Sequence, residues 1–272
     1  MLELFGYFFA IIIGVVLGLI GSGGSILAVP IFTYLFMIDE KLATGYSLFV
    51  VGCSALAGGF KQYQKGNVNF RIAVIFGLPA ILSVTAVRLF IMPIIPQELF
   101  VIGDIVISRR MGILGGFAAV MLLSALSMLQ RPKKNIEKRN LKVVVLNYPL
   151  ILIVGILIGS ITGLVGAGGG FLIIPALIIF ANIDIRTAIG TSLTIVTLKS
   201  LIGFLLGDAL VINIDWGFLL PFTCLAIFGI FIGNYLASYF DNLKLRKIFG
   251  YFIVAMAGFI IYMEFIDPAV IF

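Results

Sequence analysis

Gly18-Leu19-Ile20-Gly21-Ser22-Gly23-Gly24-Ser25 and Gly163-Leu164-Val165-Gly166-Ala167-Gly168-Gly169-Gly170 interrupt two long hydrophobic runs, and each is followed by an apolar stretch ending in proline, at Pro30 and Pro175. One offset of 145 residues separates both the clusters and the prolines, so the 272-residue chain reads as an internal duplication. Glycine is unfavourable in helix interiors and tolerates positive φ, so four or five glycines within an apolar run break a spanning helix. A break at membrane depth, repeated at corresponding positions of two halves, is the arrangement of secondary transporters.

Composition agrees. With 62% hydrophobic and 11% charged residues, the chain carries more apolar surface than a soluble domain of this length buries, and it reads as an all-α polytopic membrane protein. The net charge of +6 lies in short loops between apolar segments rather than on one face, which argues against nucleic-acid binding. No basic leader or small-residue cleavage pattern opens the chain, so the first segment is expected to remain as an anchor. Cys53 and Cys224 lie in apolar segments and read as reduced packing residues. Histidine is absent, which excludes a Ser/His/Asp set; no carboxylate pair occupies an apolar run, and Gly21 to Gly24 lacks the Lys-Ser/Thr of a P-loop. The sequence thus predicts no enzyme, no metal and no cofactor.

Hydrophobic segments fall at about 4–37, 42–60, 70–92 and 111–129, and again at about 143–181, 187–206, 214–240 and 248–265. This divides the chain into a first repeat, 1–130, a linker, 131–142, and a second repeat, 143–272. The linker holds Arg131, Lys133, Lys134, Lys138, Arg139 and Lys142 against Glu137 alone, which predicts a cytoplasmic position. After the first glycine break, Ile26 to Met37 makes about 18 Å of helix against a hydrocarbon core of about 30 Å. A run that short does not span. The broken segment is expected to fold as a hairpin that enters and returns, leaving three transmembrane helices per repeat and hence two inverted repeats. Inversion puts Lys61, Lys65, Arg71, Lys244, Arg246 and Lys247 inside and Asp39, Glu40, Asp208, Asp215, Glu264 and Asp267 outside, the bias that orients membrane proteins. Arg88, Arg109 and Arg110 fall outside in either arrangement.

The doubled Gly-x-x-Gly-x-Gly-Gly cluster leading to proline, followed by Gly45-Tyr46-Ser47-Leu48 and by Gly190-Thr191-Ser192-Leu193, with a basic loop at mid-chain, resembles the TauE/SafE family of membrane permeases over nearly the whole chain. The resemblance implies movement of sulfite, sulfonates or other small, often sulfur-containing anions across the inner membrane of a prokaryote.

Site candidates follow from the same residues. Each glycine tip opens a half-helix whose free amides and dipole favour an anion without a cationic side chain. This nominates Gly21, Ser22, Gly23, Gly24 and Ser25 in the first repeat and Gly166, Ala167, Gly168, Gly169 and Gly170 in the second. Close packing by small residues is the structural alternative for any single glycine. Lys199 lies near the middle of an apolar run, where a lysine costs roughly 2.5 to 3.5 kcal/mol to insert. It is read as the charged partner of the anion, against the alternative of neutralisation by helix carbonyls or a nearby carboxylate. Ser192 and Gly203 share its helical face, and the offset maps that face onto Ser47, Ser54 and Gly58; Thr191 extends the hydroxyl lining. Lys61, Gln62 and Lys65 read as anchors, and Arg88 as a residue snorkelling to the outer interface.

The expected function is therefore secondary transport of a small anion by alternating access, with an anion channel or a non-transport scaffold as alternatives. The bilayer and a coupling ion or proton are the expected partners, and a homo-oligomer is compatible with the sequence. In a cysteine-free background, a cysteine placed beside Asp208 should react with an impermeant thiol reagent applied from outside. Labelling from the cytoplasm alone would instead indicate parallel repeats.

Overall fold

The computed structural model describes residues 2–96, 98–102, 105–129, 148–165, 168–181, 183–209 and 213–266. The linker 131–142 therefore lies outside the described residues. Helix α1 (Leu2–Ile20) runs into a 3-10 turn (Gly21–Ile26), the short α2 (Ala28–Pro30) and a π-helical turn (Ile31–Leu35). Long helices α3 (Glu40–Gln64) and α4 (Phe70–Ala86, continued by the π turn Val87–Ile91) follow, then α5 (Arg109–Leu129). The second half repeats the order as α6 (Tyr148–Val165), α7 (Gly170–Phe180), α8 (Ile185–Gly203, continued by Phe204–Asp208), α9 (Trp216–Leu236) and α10 (Asn242–Ile261). Among the described residues six helical segments are long and apolar enough to cross a membrane. Leu82, Ile94, Leu123 and Tyr251, each more than 60% exposed, put large apolar groups on the outer surface, as a lipid-facing bundle requires.

One stretch departs from the sequence reading. Between α4 and α5, strands β1 (Glu98–Ile102) and β2 (Ile105–Ser108) pair antiparallel, where the hydropathy segments assign no element. Val101, Ile105, Val106 and Ile107 are β-branched and flank Gly103-Asp104, a hairpin composition too short to register as a span.

The duplication is visible in the caps. Asp39 accepts from Lys41 N at the start of α3, and Asp184, 145 residues later, accepts from Arg186 N and Thr187 N at the start of α8. Asn69 accepts from Ile72 N at α4, and Asp215 from Phe218 N at α9. Each satisfies amides that the first helical turn leaves without acceptors.

Packing repeats as well. Helix α1 lies along α9 and α6 lies along α4, while α3 crosses α8 and α5 meets α10. The first two contacts are built on small residues at every fourth position. Gly14 and Gly18 lie against the backbone at Ala226 and Ile230, Gly229 and Gly233 against that at Ile11 and Val15, and Gly159 against that at Ala80. Backbones approach this closely only where no Cβ intervenes. Pairs α3/α8 and α5/α10 run antiparallel: Gly52 lies by Leu201 and Gly59 by Leu193, while Gly115 lies by Phe265 and Gly250 by Leu129.

The first broken segment folds back on itself. Phe36, after the π turn, lies against Gly6 near the start of α1, and Gly24 lies against Leu17. An aromatic cluster of Phe32, Phe36, Tyr46, Phe218 and Phe222 fastens the returning arm to α3 and α9. The return is not the single half-helix that the sequence suggests. Gly21, at φ 74, turns the chain into 3-10 geometry, and α-helix resumes for only three residues before the π turn.

Replacing Gly159 or Gly233 by leucine should force α6 from α4 or α1 from α9. The expected outcome is a lowered thermal midpoint in detergent, with overpacking costing on the order of 1 to 3 kcal/mol or more; an unchanged midpoint would refute the close-packing account.

Candidate functional site

The two glycine tips meet at the centre of the bundle, where α3 crosses α8. Gly168 and Gly169 adopt left-handed φ values of 61 and 65, which glycine alone occupies without strain. They turn the chain so that α7 opens at the buried Gly170 without a side-chain cap. A Cβ added at Gly168 would stand 3.3 Å from Ser25 Cβ and 3.4 Å from Ser200 Oγ, and 2.8 Å from Val51. At Gly170 it would collide with the Ser22 side chain. Both tips and both crossing helices therefore share one space too small for any side chain at these glycines.

Lys199 reaches this space from α8. It is 1% exposed, and its Nζ donates to Thr162 Oγ1 at 2.7 Å; Thr162 in turn donates to Gly159 O at 3.2 Å. A Cβ on Gly169 would lie 2.7 Å from the ammonium nitrogen. The neighbouring Ser200 Oγ is buried with no hydrogen-bond partner among the described residues, and so is Ser54 Oγ on α3. The centre thus contains an ammonium group with one side-chain acceptor, two unpartnered hydroxyls and a glycine turn. Such a set of donors suits a small oxyanion in dry surroundings.

Several of the nominated residues stand close together. Ser22 Oγ donates to Ser192 Oγ at 2.8 Å, joining the first tip to α8, and Ser192 donates to Ile189 O at 2.9 Å. Ser25 donates to Ser22 O at 2.8 Å. Gly23 and Gly24 are closed in by Phe249 and by the α1 backbone at Leu17, respectively, so their work is steric. Gly166 and Ala167 lie outside the described residues.

Thr191 does something else. Its Oγ1 accepts from Asn69 N at 3.0 Å, joining the start of α4 to α8 about 12 Å along the helix from Lys199 at 1.5 Å per residue. Ser47 is buried with a hydroxyl that has no partner among the described residues, seven residues from Ser54 and thus nearer one end of the bundle than its centre.

Two features escape the sequence reading. Thr162 is Lys199's acceptor, yet its repeat mate is Leu17, so duplication gives no hint of it. Arg88 is the larger miss. It does not snorkel: its side chain is 0% exposed and paired with Asp208 at 2.9 Å, so the two residues assigned to an outer interface and an outer loop form a buried ion pair. The duplication did contain a signal, for at a spacing of 146, one residue more than the offset of the glycine clusters, Arg88 and Asp208 match Asn234 and Gln62. That second pair is also bonded, Gln62 Nε2 donating to Asn234 Oδ1 at 2.9 Å.

This geometry can be compared with known proteins. The family model of the sulfite exporter TauE/SafE proteins matches residues 7–260. The chain belongs to the TauE/SafE family. It is 32% identical to a probable membrane transporter protein of Xylella fastidiosa (strain 9a5c) over 254 residues, 92% of each chain. To the probable membrane transporter protein YdhB of Bacillus subtilis it is 28% identical over 186 residues, 68% of this chain and 70% of that one. A probable membrane transporter protein of Methanocaldococcus jannaschii is 32% identical over 125 residues, 44% of this chain and 46% of that one. No solved structure matches this TauE/SafE protein.

Two substitutions separate structural from vacant hydroxyls at the site. Thr162→Val removes the acceptor of a buried ammonium and should cost on the order of 1 to 3 kcal/mol, read as a lower thermal midpoint. Ser54→Ala removes a hydroxyl that bonds nothing described and should leave the midpoint unchanged or raise it. The reverse order would contradict the hydrogen-bond assignment.

Proposed function

We propose that this chain is a secondary transporter of small, sulfur-containing oxyanions of the sulfite and sulfonate kind. The observation that carries the proposal is the Lys199 ammonium, buried at the meeting point of two glycine tips beside hydroxyls with no partner. A charge in the middle of a membrane protein faces the bundle interior and marks an ion or substrate path. Here the buried charge is positive and the unpartnered hydroxyls beside it can donate, which favours an anion. The family's description as sulfite exporters and the transporter names of the relatives support the same class.

The halves are inverted repeats, 1–130 and 143–272, joined by a cytoplasmic linker, 131–142, in the inner membrane of a prokaryote. Antiparallel running of α3 against α8 and of α5 against α10 supports inversion, because corresponding helices run in opposite senses only when the symmetry axis lies in the membrane plane. The charges support the orientation. Arg246 Nε donates to Met128 O, so the end of α5, where the basic linker begins, shares a face with the start of α10. Transport then proceeds by alternating access, one repeat moving against the other around Lys199, driven by a coupling ion, a proton or the anion's own gradient.

In proteoliposomes, Lys199→Met should lower sulfite-dependent flux ten- to a hundredfold or more, the consequence of removing a charged hydrogen-bond donor worth roughly 1.5 to 3 kcal/mol. The variant should remain monodisperse and helical. Undiminished flux in the folded variant would refute the role of the charge, and single-channel currents in the native protein would replace alternating access with a pore.

A further inference from the structure

Arg88 stands in the π turn Val87–Ile91, and Asp208 in the π turn Phe204–Asp208. Such turns are frequent at functional positions in helices. Arg88 Nη1 donates to Asp208 Oδ1 at 2.9 Å, to Asp208 Oδ2 at 3.0 Å and to Thr44 Oγ1 at 3.2 Å. One nitrogen therefore makes every described contact of the guanidinium. Nε and Nη2 are buried and have no acceptor among the described residues. Those two N–H groups form the edge that holds a carboxylate or other oxyanion through two parallel bonds. A buried donor left unpaired is costly, and such a vacancy in a folded protein calls for an occupant.

The repeat supplies the second observation. Asn234, which matches Arg88 at a spacing of 146, accepts from Gln62 where Arg88 donates to Asp208, and its Nδ2 likewise has no partner among the described residues. Asn234 lines a small cleft of about 70 Å³ together with Gln62, Lys65, Asn67, Arg186 and Ser238. This position in the repeat thus borders a cleft at the Asn234 end of the bundle, and at the Arg88 end it holds an arginine bonded to Asp208 and Thr44.

We propose that the Nε/Nη2 edge of Arg88 is a second oxyanion-binding site, on the route between that end of the bundle and Lys199. Asp208 neutralises the guanidinium and fixes it through Nη1, so that the opposite edge stays available to an anion with two free oxygens, such as sulfite, sulfate or a sulfonate. The route rests on the transport reading; the binding does not.

Sulfite is the probe, titrated calorimetrically into purified protein. Lys199→Met should still bind sulfite, and adding Arg88→Lys, which keeps the charge but lacks the planar edge, should weaken that remaining binding at least tenfold. Asp208→Asn, which leaves the guanidinium uncompensated, should tighten it severalfold; it decides the question if Arg88→Lys fails to fold. In proteoliposomes Arg88→Lys should raise KM about tenfold for sulfite applied at the Arg88 end, with kcat within about twofold. Sulfite binding absent from Lys199→Met, unaffected by Arg88→Lys, or unaltered by Asp208→Asn would overturn the site and leave the edge to water. Binding that follows these substitutions in a protein without flux would instead overturn the transport reading and leave the Arg88 site standing.

Discussion

An ammonium group in the dry middle of a helical bundle has to be met by polar atoms, and the arrangement of this chain around Lys199 follows from that requirement. Helix α8 brings the charge, α6 brings Thr162 to accept from it, and the glycine turn at Gly168 and Gly169 clears the volume in which both fit. No carboxylate approaches it among the described residues. A neutral hydroxyl holds the ammonium without cancelling its charge, which leaves the attraction for an anion largely intact. At the Arg88 end, Asp208 does neutralise the cation, and one molecule thus contains an open charge at its centre and a compensated one toward its margin.

Duplication built the scaffold, and departures from duplication built the site. The matched caps Asp39 and Asp184, the matched contacts α1/α9 and α6/α4, and the paired latches Arg88–Asp208 and Asn234–Gln62 all repeat. The central polar contacts do not. Ser192 receives a bond from Ser22, whereas Ser47, its mate, is unpartnered; the residue corresponding to Ser22 is Ala167. Lys199 bonds Thr162, whereas its mate Ser54 faces a repeat in which Leu17 replaces that threonine. The two halves thus present unlike walls to the central space, and on the transport proposal an anion there would meet both.

The sequence made the helical class, the breaks in the first segments and an intramembrane Lys199 legible, because glycine clusters and a lysine are rare enough in apolar runs to carry meaning individually. Gly14, Gly18, Gly229 and Gly233 were harder to read, since a packing glycine and a tip glycine look alike until the neighbouring backbone is seen. Thr162 was hidden for a different reason: threonine commonly bonds its own helix, and nothing in its spacing marks it as an acceptor for a lysine 37 residues away. Arg88 and Asp208 lie 120 residues apart, and hydropathy places each at a segment end where snorkelling suffices. Only the π turns draw them inward, and local sequence does not announce those.

The central claim is that the space between the tips, bordered by Lys199 and Ser200, is where the anion sits. With Cys53 and Cys224 replaced by alanine, Ser200→Cys would be treated with a sulfonate-bearing thiosulfonate reagent in the presence and absence of sulfite. The account predicts reaction that slows at least several-fold as sulfite is added, and loss of that protection when Lys199 is also methionine. Reaction at the same rate with and without sulfite, in a protein shown to transport it, would place the substrate elsewhere and contradict the account.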